Sequence, residues 1–469
     1  MADELWGWSA RAIADAIRGR KVSSREVVTS ALARLEAVNP RINAVVDILA
    51  EEALSAADRA DAAVAGGEAT GPLHGVPVTA KINVDYSGRA TTNGVPAFRE
   101  RVASADSPPI ANWRKAGAIF IGRTNVPPFS ARFFTANELY GATLNPWSPA
   151  HTPGGSSGGA AAAVATGIGA LAHGNDRAGS IRYPAYACGI AGLRPTFGRV
   201  PTFEATNPQE PSITTQLTHV QGPLARSIAD LRLGLAAMAM PDPRDPWYVM
   251  APRETREDSM PVRVALVTDV PGSNVDSAVL GALREAAVWL TEAGYAVEQA
   301  TPPHFEEAAR LFFTLVRSEE AAGATKAIQA LGDDALRRAR ASTMAYASEL
   351  DYNGYIAAFA RRSQILREWL VFLERFPLLL MPVSCEPPFP VDYDQQGDAA
   401  VARMLTAHHP MLAVSMLGLP GLSVPTGLSD GVPIGVQIVA GRFREELCLR
   451  AGEVIEARQP LRTPVTPMD

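Results

Sequence analysis

Apolar positions in the first part of the chain recur at helical spacing and then give way to short β-branched runs. From Val27 the order Val-Val-x-x-Ala-Leu-x-x-Leu has helical period, and Ser23 with Glu26 has the Ser-x-x-Glu spacing of a capping box. An Ala-dense stretch predicts a second helix over Ala50–Ala65, so residues 1–65 read as a helical N-terminal segment. After a turn signal, Gly75-Val-Pro-Val-Thr-Ala-Lys81 has the pattern of a buried strand. A helix is predicted near Ile110–Ala116 and a strand over Ala118–Ile121. This alternation predicts an α/β fold, a large mixed sheet flanked by helices on both faces.

The later pattern extends the same fold. Residues 66–240 form the expected core, with a Gly- and Ser-rich centre between Pro146 and Pro201. The Pro-rich, charged stretch 241–261 reads as an exposed connection. Beyond it, Val262–Val267 and Ala296–Ala300 read as strands around a helix, and helices fill Glu306–Phe376. Leu378–Pro382 reads as a buried strand, Leu422–Pro425 and Ile434–Val439 as a closing pair, and Glu445–Arg458 as a last helix. The expectation is one domain over 1–469, with 262–469 completing the sheet and supplying pocket helices. There are no internal repeats.

Composition narrows the function classes. With 47% hydrophobic and 20% charged residues the chain is globular in character. A net charge of -6 gives no electrostatic reason for binding nucleic acid or an anionic membrane. The most apolar run, Gly158–Ala172, is shorter than a membrane span. Met1–Trp8 lacks the basic and apolar pattern of a secretory signal, and the three scattered cysteines imply no disulfide framework, so a cytoplasmic location is expected. The seven histidines include no HExxH pair or zinc spacing, so neither a metal site nor a cofactor is expected.

Three segments carry candidate chemistry. Thr152-Pro-Gly-Gly-Ser-Ser-Gly-Gly-Ala160 places two glycine pairs around two serines and runs directly into an apolar, helix-like stretch. Glycine permits close backbone approach, so this is a candidate catalytic or binding loop. A flexible linker would have a polar spacer, and a Walker loop would end in Gly-Lys-Ser/Thr. In Gly174-Asn-Asp-Arg-Ala-Gly-Ser-Ile-Arg-Tyr-Pro184, Ser180 is a turn serine or a nucleophile, ahead of a strand-like or turn segment. Lys81, at the end of its strand, is either a surface residue or a buried base, because desolvation disfavours a charged amine and frees it to accept a proton.

Taken together, Gly71-Pro-Leu-His-Gly-Val-Pro-Val-Thr-Ala-Lys81, the GGSSGG loop and the Gly-Ser-Ile-Arg segment resemble the amidase signature family. The resemblance continues in order through Gly189–Val200, Leu417–Pro425 and Gly431–Val439, covering most of the chain. It implies a Ser-Ser-Lys triad: Ser180 as nucleophile, Ser156 as the bridging serine after a cis peptide bond, and Lys81 as base. Ser156 and Ser180 stand 24 positions apart, the separation expected in the family. The implied chemistry is amide hydrolysis through an acyl-enzyme, with a proton passing from Ser180 through Ser156 to neutral Lys81 and back to the departing amine.

The resemblance also places the backbone N–H groups of Arg177, Ala178, Gly179 and Ser180 as oxyanion donors, with Asp176 and Arg182 as a supporting polar pair. The turn departs from the family's usual Gly-Thr-Asp-x-Gly-Gly-Ser. Asn175 replaces a small hydroxyl residue, and Ala178 replaces a glycine able to take positive φ. Arg177 is unusual; its side chain either extends idly into a solvent channel or tunes Lys81 and attracts an anionic substrate. Ser130, Phe133, Phe134 and Tyr183 are substrate-pocket candidates, although the phenylalanines fit a core equally well. The expected substrate is a small aryl or alkyl amide, an ester or a carbamate, handled by a monomer or homodimer without nucleic acid or membrane. The alternatives are a carbamate or urea hydrolase using the same triad, a partner-dependent amidotransferase component, and a non-catalytic binding protein on this scaffold.

Overall fold

The structure, a computed structural model, describes residues 2–207, 209–251, 261–323 and 326–468. Its centre is one eleven-stranded sheet. In chain order the strands are β1 (Val45–Ile48), β2 (Pro77–Lys81), β3 (Ile119–Thr124), β4 (Leu171–Asp176), β5 (Ala191–Arg194) and β6 (Val220–Ala225). They continue as β7 (Arg263–Leu266), β8 (Ala296–Gln299), β9 (Leu378–Pro382), β10 (Gly421–Ser429) and β11 (Val432–Ala440). Across the sheet they lie in the order β1-β3-β2-β4-β6-β5-β10-β11-β9-β7-β8.

Parallel pairs (β3-β2-β4 and β9-β7-β8) occupy the two wings, and an antiparallel run from β4 through β6, β5, β10 and β11 to β9 joins them. Strands β2, β3, β4, β6 and β9 are buried along their whole length, as expected where helices cover both faces. This explains why β9 reads as a continuous apolar run rather than an alternating one, and why β2 and β3 carry charge only toward their ends.

The predicted helices Ala50–Ala65 and Glu445–Arg458 form over those residues, and the Ser23–Glu26 capping box opens the helix Ser24–Ile42. Three expectations need correction. Residues 1–65 are not all helical: Asn43, in the left-handed region at φ 48°, ends the helix, and Val45–Ile48 then pairs antiparallel with β3. The segment after Ser180 is a helix, Arg182–Cys188, because Pro184 falls in its first turn, where no N–H is needed. The 241–261 connection is only partly exposed, since Asp245, Pro246 and Trp247 turn in to line a cavity; residues 252–260 lie outside the described residues.

The Ala-rich stretch that follows the GGSSGG loop forms the short helix Gly158–Ala165, every residue of which is buried. A helix with no polar face belongs in a core. It packs against β4, β6 and the helix Arg182–Cys188, and so holds the start of its own N-terminal loop in the middle of the molecule.

Candidate active site

Strand β2 carries Lys81 into the interior, where it is fully buried. Its Nζ lies 2.7 Å from Ser156 Oγ and donates to Asn175 Oδ1, also at 2.7 Å. Among the described residues no carboxylate touches the amine. Burial holds Lys81 well below the ordinary lysine range, and the nearby charge of Asp176 opposes this only in part. The Lys81 backbone N–H points to His173 Nδ1 at 3.4 Å, while His173 Nε2 faces Gln221 Oε1 at 2.9 Å. Burial pushes the His173 imidazole down to about 3, so it is neutral and serves as an acceptor for the strand.

The serine loop is pinned by close contacts. Its Gly155–Ser156 peptide bond is cis. Gly154 sits at φ 79°, and a Cβ there would come within 2.6 Å of Pro184 Cα. A Cβ on Gly155 would come within 2.5 Å of the Phe133 carbonyl carbon. No other residue type fits this approach without moving backbone. Ser157 N–H donates to the Ser180 carbonyl at 3.2 Å, tying this loop to the second serine segment.

That segment turns around Asp176. The buried carboxylate accepts from Gly179 N–H at 2.8 Å, Ile181 N–H at 3.2 Å, Arg182 Nε at 3.0 Å and Arg194 Nη1 at 3.1 Å. Burial alone would raise its pKa, but the two guanidiniums and these donors hold it well below the usual carboxylate range. Arg182 reaches onward to Gln437 Oε1 at 2.6 Å and Ser415 Oγ at 2.7 Å. The left-handed residue of the turn is Gly179 (φ 117°), and Ala178 is not at positive φ, so alanine fits there without strain. Of the four backbone N–H groups expected to face an oxyanion, that of Gly179 is turned into Asp176 instead.

Ser156, Asn175, Arg177, Ala178 and Ser180 share the wall of a cavity of about 420 Å³. Its apolar lining includes Phe129, Phe133, Phe197, Phe203, Phe312 and Trp247. Ser130 and Phe133 are in the wall; Phe134 and Tyr183, also expected there, are not. Tyr183 is fully buried behind Phe133, its ring edge-on to that of Phe133 at 6.1 Å and its hydroxyl accepting from Phe389 N–H at 3.2 Å. Phe134 is likewise core. Arg177 is half-buried rather than free in a channel, with its guanidinium 5.7 Å from the Phe312 ring centroid.

Several residues that build the site carried no assignment from the sequence: Asn83, His173, Arg194 and Gln437. Arg194 and Gln437 had a visible signal, as polar residues in the otherwise apolar Gly189–Arg194 and Gly431–Val439 runs. Among the described residues no cluster of His, Cys, Asp or Glu is placed to hold a metal ion, and no helix is long and apolar enough to cross a membrane.

The Amidase family model matches residues 26–449. The chain belongs to the amidase signature family. An indoleacetamide hydrolase of Bradyrhizobium diazoefficiens is 44% identical over 97% of this chain and 87% of its own length. A glutamyl-tRNA(Gln) amidotransferase subunit of Moorella thermoacetica is 31% identical, over 97% of both chains. The solved structure of a 6-aminohexanoate cyclic dimer hydrolase complexed with substrate superposes with a TM-score of 0.82 at 28% identity, covering 98% of this chain and 99% of that one. This amidase is a hydrolase of carbon–nitrogen bonds other than peptide bonds.

Proposed function

We propose that this amidase hydrolyses small carboxamides with an aromatic acyl group, with Ser180 as nucleophile, Ser156 as proton bridge and Lys81 as base. The observation that carries the reading is the buried Lys81 amine, 2.7 Å from Ser156 Oγ and touched by no carboxylate among the described residues, beside a cavity shared by Ser156 and Ser180. A neutral amine takes the Ser156 proton while Ser156 takes that of Ser180, and Ser180 attacks the carbonyl carbon. Collapse of the tetrahedral adduct breaks the C–N bond, and the proton held on Lys81 returns through Ser156 to the leaving nitrogen. Water then releases the carboxylic acid by the same path. The N–H groups of Arg177, Ala178 and Ser180 are the remaining candidate donors to the developing oxyanion.

The aromatic lining supports an aryl acyl group, in keeping with the 44% identity to an indoleacetamide hydrolase. The amidotransferase reading draws less support, its relatives being more distant. The purified chain, beside its Ser180→Ala and Lys81→Met variants, is assayed on arylacetamides, aliphatic amides, anilides and aryl carbamates. Ammonia release from arylacetamides by the parent alone supports the proposal. Turnover by Ser180→Ala overturns the nucleophile, and carbamates outranking amides overturns the substrate class.

A further inference from the structure

The Lys81 amine ends a line of hydrogen bonds that runs along the cavity wall away from the serines. Asn175, which accepts from Lys81 through Oδ1, donates through Nδ2 to Asn83 Oδ1 at 3.0 Å. Asn83 Nδ2 donates back to Asn175 Oδ1 at 3.3 Å and on to Ser130 Oγ at 2.9 Å. Ser130 passes its own proton to Asn93 Oδ1 at 2.8 Å. The two carboxamides thus form a reciprocal pair, in which neither can flip without the other, and Ser130 takes the second N–H of Asn83.

This direction matters to the base. A neutral lysine has two N–H bonds and one lone pair. A carbonyl oxygen can only accept, so Asn175 takes an N–H and leaves the lone pair for the Ser156 hydroxyl. Were the carboxamide pair reversed, Asn175 would present N–H to Lys81 and consume that lone pair.

The outer end of the line is held at a backbone cost. Asn93 (φ 46°), Phe129 (φ 55°) and Ser130 (φ 54°) all lie in the left-handed region, and Phe129 N–H donates to the Asn93 carbonyl at 2.9 Å. Strain at non-glycine residues persists where surrounding contacts enforce it, and here it fixes the two loops that bring Asn93 and Ser130 together.

We propose that Asn175, Asn83 and Ser130, anchored by Asn93, are positioning residues that aim the Lys81 lone pair at Ser156. The proposal rests on Lys81 being the base. Toward Lys81, Asn175 only accepts, in an orientation set through Asn83 and Ser130 and anchored by Asn93.

The test is a double-mutant cycle on arylacetamide hydrolysis, with kcat and KM measured across pH for Ser130→Ala, Asn175→Thr and the double variant, and melting curves confirming the fold. A threonine hydroxyl can still accept from Lys81 but cannot form the carboxamide pair. Ser130→Ala is expected to lower kcat about tenfold or more with KM within about twofold, since small misplacements of a catalytic group have effects of this size. In the Asn175→Thr background the same substitution should change kcat by less than about twofold, because the line is already broken. Asn93→Gly, which keeps the left-handed backbone available, gives a second break of the same kcat-only sign. In Asn175→Asp a carboxylate beside the amine holds it protonated, so the acid limb of kcat/KM moves to higher pH. Effects that multiply in the double variant, or a Ser130→Ala defect confined to KM, overturn the relay. Full activity in Lys81→Met overturns the base assignment itself, a result separable from either.

Discussion

At Lys81 the requirements of stability and chemistry pull apart. An amine buried without a carboxylate in contact has its pKa held well below the ordinary lysine range, so the folded chain binds fewer protons there than the unfolded chain does up to the ordinary value of about 10.4. Raising the pH toward that value therefore favours the folded state at this position. Lys81→Met, similar in length and apolar, removes the penalty. It is expected to raise the melting temperature at pH 7, by an increment that shrinks as the pH approaches about 10, while lowering kcat at least about a hundredfold. A melting temperature that falls at pH 7 would show that the amine's hydrogen bonds outweigh its desolvation. The parent's kcat/KM should rise with pH through the lowered lysine pKa, because only the neutral amine accepts a proton. Read from its own strand alone, Lys81 stood open between surface residue and buried base, since a strand end serves both; the family resemblance is what made it the expected base. The structure excludes the surface reading, because β2 lies inside the sheet between β3 and β4 and Lys81 is fully buried. Asn83, Asn93 and His173 were not legible at all, because their meaning lies in contacts with residues dozens of positions away.

At the scale of elements, the short helix Gly158–Ala165 places the serine loop, and its glycines set how deep it sits. A Cβ on Gly159 would lie 2.5 Å from Asn125 N and 2.7 Å from the Ala44 carbonyl oxygen, backbone atoms of two different segments that cannot rotate away. Gly159→Ala is expected to push the helix off this seat and cost about 1–3 kcal/mol by overpacking. Because Ser156 and Ser157 lead into the helix, kcat should fall with it; urea denaturation and arylacetamide kinetics read the two effects, and unchanged values in both would mean that the helix start does not locate the loop. Elements bounded by turn signals were legible: the Ala-dense helices, β2, β9 and the β10–β11 pair all lie where their patterns place them. The four-residue β1 was not, because a run of that length between two helices has too few residues to show a period of two. The helix Arg182–Cys188 escaped for a related reason, since proline marks a turn as readily as the first turn of a helix.

Across the whole molecule, Asp176 is where distant parts of the chain meet. Its carboxylate joins the end of β4, the turn before Ser180, Arg182 at the head of a helix and Arg194 of β5. Arg182 carries the connection on to Ser415 of the helix His409–Leu417 and Gln437 of β11, so the turn before Ser180 is clamped between the middle and the end of the sequence. The folded pKa of Asp176 is depressed, so its contribution is fully present above the unfolded aspartate value of about 3.9 and is lost only as the pH falls below that toward the folded value. Asp176→Asn keeps the shape but leaves two buried guanidiniums without their anion, and its N–H face meets a donor where an acceptor stood. Breaking such a pair from one side is expected to cost about 3–5 kcal/mol at pH 7. The loss should narrow as the pH falls below about 3.9, where the parent's unfolded chain takes up the proton that its folded chain still excludes. Activity should fall alongside, because Gly179 and Ile181 N–H bond different carboxylate oxygens, and asparagine keeps an acceptor for only one of them in the turn into Ser180. Urea unfolding of parent and variant at pH 7 and at pH 3, with arylacetamide kinetics at pH 7, measures both effects. A difference below about 1 kcal/mol at pH 7 would mean that the arginines find other partners and that the turn before Ser180 is held by its backbone alone.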